Sequence, residues 1–354
     1  MSLRSAAPAL LAALLFGAST PLAKLLTGDV SPLLLAGLLY LGSGAGLAAL
    51  LLVRRLGASE TGTLRPSLRI PSNEWPWLLG AIVTGGMLGP ALLMLGLSTT
   101  DAASASLLLN IEGVLTAVLA WLVFKENADR QVVFGMVAIV VGGVLLTWEP
   151  GGATWSPGAL LIAAACLCWA VDNNLTRKVS SNDAMLVACL KGLVAGASNT
   201  GIALFAGATL PNASAMGFAL LVGFFGYGLS LTLFVVGLRV LGTARTGAYF
   251  SVAPLFGVLI SLLLWPEPPS LLFWMAALMM AVGVWFHLGE RHEHEHAHEP
   301  LEHSHHHRHD EHHRHAHSIE WDADTPHAHV HRHDVLIHKH PHYPDIHHRH
   351  LHRR

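Results

Sequence analysis

The 354-residue chain is too apolar for a soluble protein, because 52% of its residues are hydrophobic and only 12% are charged, whereas soluble proteins carry about 25% charged residues. Its composition also changes sharply: 24 of the 25 histidines lie after residue 290, and none of the 34 glycines lies beyond residue 289. We therefore predict a membrane domain followed by a histidine-rich tail, 291–354. The formal net charge of −2 gives no reason to expect nucleic acid as a partner.

Ten apolar segments are long enough to be transmembrane helices, which need about 20 mainly apolar residues. Short breaks rich in glycine, proline or charged residues separate them. The first segment continues through Pro21 to Leu26, which argues against a cleaved signal peptide. The predicted spans are 5–26, 32–54, 76–97, 102–123, 131–148, 157–178, 184–206, 215–238, 245–265 and 270–288. The sequence thus predicts an all-α membrane protein with ten transmembrane helices.

The two halves of the membrane domain carry a weak internal repeat. Residues 96–126 align without gaps on residues 237–267, at an offset of 141. Each half has five spans, and because five is an odd number the second half must cross the membrane in the opposite sense. We therefore predict that residues 5–148 and 157–288 form two inverted repeats. Transporters with such repeats bind their substrates near the midplane, between the halves.

The distribution of lysine and arginine predicts the orientation. Eleven of the 13 basic residues that precede residue 291 lie in loops or at ends on one side of the membrane. That side is expected to be cytoplasmic, so both termini and the tail are predicted to face the cytoplasm of a cell whose cytoplasmic (inner) membrane holds the protein. Lys24 lies near the other side, where its side chain is expected to extend to the membrane interface.

Short motifs in both halves resemble the drug/metabolite transporter superfamily, EamA type. They are Phe16-Gly17 to Lys24, the segment 110–121 (NIEGVLTAVLAW) followed by Phe124-Lys125-Glu126, and Ser251 to Phe256 (SVAPLF) followed by Pro266-Glu267. The resemblance covers about residues 5–288 and implies ten helices in two five-helix inverted repeats, with transport and no enzymatic activity. It does not identify the substrate. Gly113 stands where the family often has proline, which Pro254 keeps in the second half.

Glu112 is the clearest candidate for the transport site. It is the eleventh residue of a predicted 22-residue span, and an ionisable group near mid-bilayer indicates function by default. Gly113 and Pro254 occupy matching positions in the two halves and weaken a helix locally, which points to a central site; Asn110 lies beside the same weak point. The alternative is a structural Glu112 that is protonated and hydrogen-bonded to a neighbouring helix.

Asp172 and Lys191 form a second candidate group. They lie at similar depths on consecutive antiparallel spans, so we predict an ion pair that serves either as a structural link or as a gate. Asn173 and Asn174 follow Asp172, and amides are costly to bury without partners. This stretch is therefore a candidate lining of a polar cavity.

The tail is expected to be disordered, because it cannot bury a core, and to bind metal reversibly. Neutral imidazole is a common metal ligand that suits Zn, Ni, Co and Cu, and dense histidine tracts are typical of metal binding. The candidate ligands are His292, His294, His296, His298, His305, His306, His307, His327, His329, His331, His333, His338, His340 and His342. The alternative is a pH-dependent polycation attracted to the anionic cytoplasmic leaflet.

Two transport hypotheses follow. In one, the chain is a secondary transporter of a divalent transition metal, with Glu112 as a cation ligand or a proton-coupling carboxylate and with the tail as a metal buffer. In the other, the substrate is a small organic metabolite and the tail senses metal or pH. A membrane-anchored metal buffer or sensor without transport is the alternative from another class. No nucleophile with partners, phosphate loop or zincin pattern indicates an enzyme, no cofactor is required, and a homodimer is compatible with the sequence.

Overall fold

A computed structural model describes most of the chain. The described residues are 3–61, 70–124, 130–147, 156–179, 182–241, 249–266, 268–288, 293–298, 301–307, 327–333 and 336–341. The chain divides into two compact units, Met1–Glu290 and Arg291–Arg354, and each unit is described by itself below.

The first unit is built from helices. Its α-helices are α1 (Leu3–Lys24), α2 (Pro32–Thr61), α3 (Trp75–Ala81), α4 (Gly89–Thr99), α5 (Ala102–Leu108), α6 (Asn110–Phe124), α7 (Arg130–Thr147), α8 (Pro157–Thr176), α9 (Ala184–Phe205), α10 (Ala213–Gly223), α11 (Ser230–Leu241), α12 (Ala253–Leu264) and α13 (Leu271–Leu288). A first π-helix, Ile82–Leu88, joins α3 to α4, and a second, Phe224–Leu229, joins α10 to α11. Short 3₁₀ turns occupy Ser72–Glu74 and Arg177–Val179.

Seven helical stretches in the described part of the chain are long and apolar enough to cross a bilayer. They are Ala7–Lys24, Pro32–Leu56, Ser72–Thr99, Ala102–Leu119, Pro157–Thr176, Ala184–Phe205 and Ala213–Phe234. The fifth, ninth and tenth predicted spans contain shorter apolar helices, which are Val133–Leu146, Ala253–Leu264 and Leu271–Phe286. The protein is therefore a multi-pass membrane protein whose first unit is helical.

Polar caps begin several helices close to the predicted boundaries. The side chains of Asp101, Asp183 and Asn212 accept hydrogen bonds from backbone N–H groups in the first turns of α5, α9 and α10, at 2.7, 2.9 and 2.8 Å respectively. Such caps satisfy N–H groups that have no partner within the helix. Each of these helices therefore begins directly after a short polar residue that caps it.

The fourth predicted span is two helices and not one. Its interruption lies at Leu109, between α5 and α6, rather than at Gly113, which lies in the first turn of α6. In the second half, Pro254 likewise lies in the first turn of α12, which follows a turn at Ser251 and Val252. The first turn tolerates both residues, because its N–H groups lack helical partners in any case and a proline has no N–H to leave unpaired. Gly113 and Pro254, which the sequence predicted as the weak points, therefore lie just after the helix interruptions and do not cause them.

Glycines allow the helices to approach closely. The longest helix contact joins α2 to α9, and along it a Cβ on Gly44 would lie 2.4 Å from the backbone nitrogen of Leu193, while a Cβ on Gly196 would lie 2.5 Å from that of Leu41. Small residues at such crossings let backbones pack directly against each other in a membrane. Other extensive helix contacts join α7 to α13, α8 to α4 and α6, α1 to α11 and α12, and α2 to α10.

The second unit contains four short strands. Strand β1 (Glu293–His298) pairs antiparallel with β4 (Leu336–Pro341), and β2 (Leu301–His307) pairs antiparallel with β3 (His327–His333). The disorder expected of the tail as a whole stays a prediction from its sequence. Histidine recurs at every second position in much of these strands, as in His294, His296 and His298, which matches the two-residue repeat of an extended strand.

Candidate functional site

The interruption of the fourth span places Glu112 near a helix N-terminus, within a stretch that is long and apolar enough to cross a membrane. Glu112 lies in the first turn of α6, and its backbone N–H donates to the carbonyl of Leu109 at 3.1 Å, so the turn at Leu109 is linked to the new helix. The partial positive charge of a helix N-terminus favours a nearby carboxylate. The Glu112 side chain is half-buried, and a Cβ on the adjacent Gly113 would meet nothing within 4 Å. The turn therefore borders open space.

The Glu112 carboxylate faces the polar end of α8. The Asn173 amide Nδ2 donates to Glu112 Oε1 at 2.9 Å and to the Thr116 hydroxyl at 3.2 Å. Asn174 donates to the Thr116 carbonyl at 3.4 Å and to the carbonyl of Ala170 at 2.8 Å. Asn173 is exposed, and an amide that faced lipid would be costly. We call Glu112, Thr116 and Asn173 the central polar cluster; its exposed side fits a water-filled path better than a lipid contact.

The predicted Asp172–Lys191 ion pair is present. Lys191 Nζ lies 2.6 Å from both carboxylate oxygens of Asp172, and the two side chains are only 14% and 8% exposed. Thr176 donates to Asp172 Oδ1 at 2.8 Å and accepts from Lys191 at 3.3 Å. Consecutive residues on α8 therefore point to different neighbours: Asp172 is tied to α9, and Asn173 to α6.

The first π-helix packs directly against this ion pair. A Cβ on Gly85 would lie 1.8 Å from Asp172 Oδ2, so only glycine fits here. The Gly85 carbonyl accepts two hydrogen bonds, from the Tyr40 hydroxyl at 2.8 Å and from the Trp169 indole N–H at 2.9 Å. Single-turn π segments occur frequently at functional sites. The Gly85 carbonyl thus links the segment to α2 and α8, and the absence of a side chain at Gly85 leaves room for Asp172.

Three aromatic rings from three helices meet, and one of them, Tyr40, is hydrogen-bonded to the first π-helix. The ring of Tyr227, in the second π-helix, lies 5.9 Å from that of Phe16 in α1 and 5.5 Å from that of Tyr40 in α2. We call Phe16, Tyr40 and Tyr227 the aromatic trio; all three rings are only partly buried.

The structure does not bring every predicted residue to this site. The Asn110 amide donates to the Leu107 carbonyl at 2.9 Å and contacts Met280 Sδ at 4.0 Å, away from Glu112's partners. Lys24 lies at the end of α1, and its Nζ donates to the Leu97 and Thr100 carbonyls at 2.5 and 2.9 Å; its extension to the membrane interface stays a prediction. A cation at the C-terminal end of a helix binds the carbonyls that lack helical partners, and here the helix is α4.

The metal predictions concern two different parts of the chain. Within the part that the structure describes, no three His, Cys, Asp or Glu side chains come together as a metal site. In the tail, His292 and His342 lie outside the described residues, and the other twelve candidate ligands lie within the four strands. Metal binding by the tail stays a prediction from its sequence.

Sequence reasoning missed several polar partners. Thr116 and Thr176 lie one turn after Glu112 and Asp172, so spacing of four on a helix was an available signal. Tyr40 and Trp169 donate to a carbonyl of the π-helix, and no pattern around residue 85 indicates that a backbone group serves as the acceptor. The aromatic trio joins residues far apart in the chain and was not predicted.

The chain is similar to known transporters. A relative from Methanothermobacter thermautotrophicus, described as an uncharacterized transporter, is 28% identical over 291 residues, which cover 77% of this chain and 82% of the relative. The uncharacterized transporter YyaM of Bacillus subtilis is 27% identical over 256 residues, covering 69% and 81%. A probable 4-amino-4-deoxy-L-arabinose-phosphoundecaprenol flippase subunit ArnE of Pseudomonas fluorescens is 35% identical over 109 residues, 31% of this chain and 94% of that subunit.

A solved crystal structure has the same fold. It superposes with a TM-score of 0.58 at 22% identity and covers 79% of this chain and 95% of its own; at this identity the likeness concerns the fold alone. The sequence profile of the EamA-like transporter family matches residues 4–148 and 156–289. Both matched regions together span most of the first unit, and the resemblance noted in the sequence is thereby confirmed. The chain belongs to the EamA-like transporter family.

Proposed function

We propose that this protein is a secondary transporter that moves a small organic metabolite past the central polar cluster. The observation that carries the proposal is the arrangement around Glu112. A carboxylate, an exposed amide and a hydroxyl meet at a broken helix inside a membrane span. Charged groups within spans commonly mark substrate and ion pathways, and interrupted helices supply freed backbone groups for binding.

Several features support ten spans in two inverted repeats. The two π-helices lie at equivalent places, since Gly85 and Gly226 are 141 residues apart, which is the offset of the sequence repeat. Their contacts also correspond: a Cβ on Gly85 would meet Asp172 of α8, and one on Gly226 would meet Ser19 of α1 at 2.5 Å. In addition, α2 packs on its counterpart α9, and α7 on its counterpart α13. Such packing is expected of two halves related by a pseudo-two-fold axis.

The same scheme assigns roles to the residues. Glu112 binds the substrate or carries the coupling proton, and Asn173 orients the Glu112 carboxylate. The Asp172–Lys191 pair, close to the end of α8 and next to the basic residues that follow it, serves as an inner gate or a structural link. This end is cytoplasmic in our proposal because the basic loop residues cluster there, which also places both termini in the cytoplasm.

The test is a flux measurement with matched variants. Everted vesicles that contain the full chain, Glu112→Gln or Glu74→Gln are incubated with amines, amino acids, sugars and nucleosides, and their contents are compared by mass spectrometry. Glu74, at the start of α3, is an isosteric control that accepts a hydrogen bond from Asn182 at 2.5 Å. We expect at least one compound to be transported by the full chain and by Glu74→Gln, and about tenfold more slowly by Glu112→Gln. Flux that is unaffected by Glu112→Gln would contradict the site assignment.

The tail is proposed to bind transition metals reversibly on the cytoplasmic side. The supporting observation is its spacing of histidines at every second position, as in His294, His296 and His298, which is typical of metal-binding tracts. Total Zn, Ni, Co and Cu are measured in cells that express the full chain, Glu112→Gln or a chain that ends at Glu290. A metal content that depends only on the tail supports a store. If Glu112→Gln abolishes a change in metal content, the metal is instead the transported substrate. If the vesicle experiment shows no flux of any compound, the result favours a membrane-anchored metal buffer.

A further inference from the structure

The charges around the central polar cluster do not balance. Among the described side chains, Arg54 pairs with Asp183 at 3.1 Å and Lys191 pairs with Asp172 at 2.6 Å. Lys191 contacts Asp172 directly, whereas the Glu112 carboxylate accepts from the neutral Asn173 amide and has no cation within 4 Å among the described side chains. An uncompensated carboxylate inside a membrane is costly, and a mobile cation would offset that cost.

The aromatic trio, linked to the first π-helix through Tyr40, adds a second recognition element. Tyr40 is anchored by its hydrogen bond to the Gly85 carbonyl, and Gly85 in turn packs against Asp172, the residue before Asn173. The ring of Tyr227 stands between those of Tyr40 and Phe16, at 5.5 and 5.9 Å. The faces of such rings attract cations within about 6 Å, and several rings together form the cages that recognise alkylammonium groups.

We propose that the transported metabolite is an organic cation, with an ammonium nitrogen next to an apolar or aromatic group. Glu112 supplies the negative charge, Asn173 holds that carboxylate in place, and the aromatic trio contacts the alkyl groups around the nitrogen. Neutral sugars carry no positive charge to offset the charge of Glu112, and anions would be repelled by it. This inference rests on the proposed function and names the substrate class of the same site.

The test is equilibrium binding, which needs no flux. The purified full chain in detergent micelles is titrated with benzyltrimethylammonium, with benzyl alcohol as the neutral comparison and with benzoate as the anionic one. We expect the cation to bind at least tenfold more tightly than either comparison compound. Glu112→Gln is expected to weaken its binding at least tenfold, while Glu74→Gln leaves it unchanged within twofold. A thermal unfolding curve for each variant shows that it is folded.

The aromatic contribution is tested separately and does not depend on the Glu112 variant. Tyr227→Phe keeps the ring face and is expected to bind the cation within about twofold of the full chain, whereas Tyr227→Leu is expected to bind about five- to tenfold more weakly. Equal binding of all three probes, or cation binding that survives Glu112→Gln, would overturn the substrate class. If the cation does not bind but some metabolite flux still requires Glu112, the substrate class is wrong and the proposed transport function stands. Cation binding that requires Glu112, without flux of any compound, supports the substrate class and overturns transport.

Discussion

The Asp172–Lys191 pair offers a quantitative test of how the membrane domain is held together. Its two side chains are 8% and 14% exposed, and Lys191 contacts both carboxylate oxygens at 2.6 Å. Removing one partner of a buried pair leaves an uncompensated charge and costs about 3–5 kcal/mol. We therefore expect Asp172→Asn and Lys191→Met each to destabilise the protein by about that amount. The double variant buries no charge, so it is expected to cost less than the sum by about 2 kcal/mol or more.

The assay is thermal or detergent-induced unfolding of the purified protein, followed by tryptophan fluorescence, for the full chain, the two single variants and the double variant. The control cycle uses Arg54→Met and Asp183→Asn, because Arg54 is 48% exposed and exposed pairs contribute about 0–1 kcal/mol. Asparagine retains the helix cap at residue 183. If the stability losses of Asp172→Asn and Lys191→Met simply add in the double variant, or are no larger than those of the control cycle, the pair does not stabilise the protein as a buried ion pair and the reasoning is refuted.

Three further predictions use other contacts. Gly192→Ala is expected to destabilise the protein by about 1–3 kcal/mol, because its Cβ would lie 2.6 Å from the backbone nitrogen of Gly44. In the control, Gly201→Ala in the same helix, the new Cβ would meet nothing within 4 Å, so this variant should be neutral or up to about 1 kcal/mol more stable. Chemical unfolding of both variants measures the difference. Lys24→Met removes two bonds to carbonyls at the end of α4 and is expected to lower stability by about 1–2 kcal/mol, measured in the same way, and an unchanged stability would show that those bonds contribute nothing. A chain that ends at Glu290 should keep metabolite flux and lose reversible Zn²⁺ binding in equilibrium dialysis; loss of flux at equal expression would instead make the tail part of the transport machinery.

Local sequence was sufficient for the features that depend on one segment at a time. Apolar runs of about 20 residues predicted the helical stretches, because each transmembrane helix satisfies its own backbone hydrogen bonds. The Asp172–Lys191 pair was also predictable, since two ionisable residues at equal depth in consecutive spans cannot both remain unpaired at low cost. Glu112 stood out for the same reason, and the family motifs around it predicted a transporter fold.

Features that depend on several segments emerged from the packing alone. The interruption at Leu109, the π-helix at Gly85 and the meeting of Phe16 with Tyr40 and Tyr227 have no local signal. At Gly85 and in the aromatic trio, the contacts come from helices that are far apart in sequence. The carbonyl of Gly85, for example, gains two donors from α2 and α8. When a hydrogen-bond partner or a neighbouring ring comes from another helix, the sequence pattern of the segment that it contacts does not indicate it.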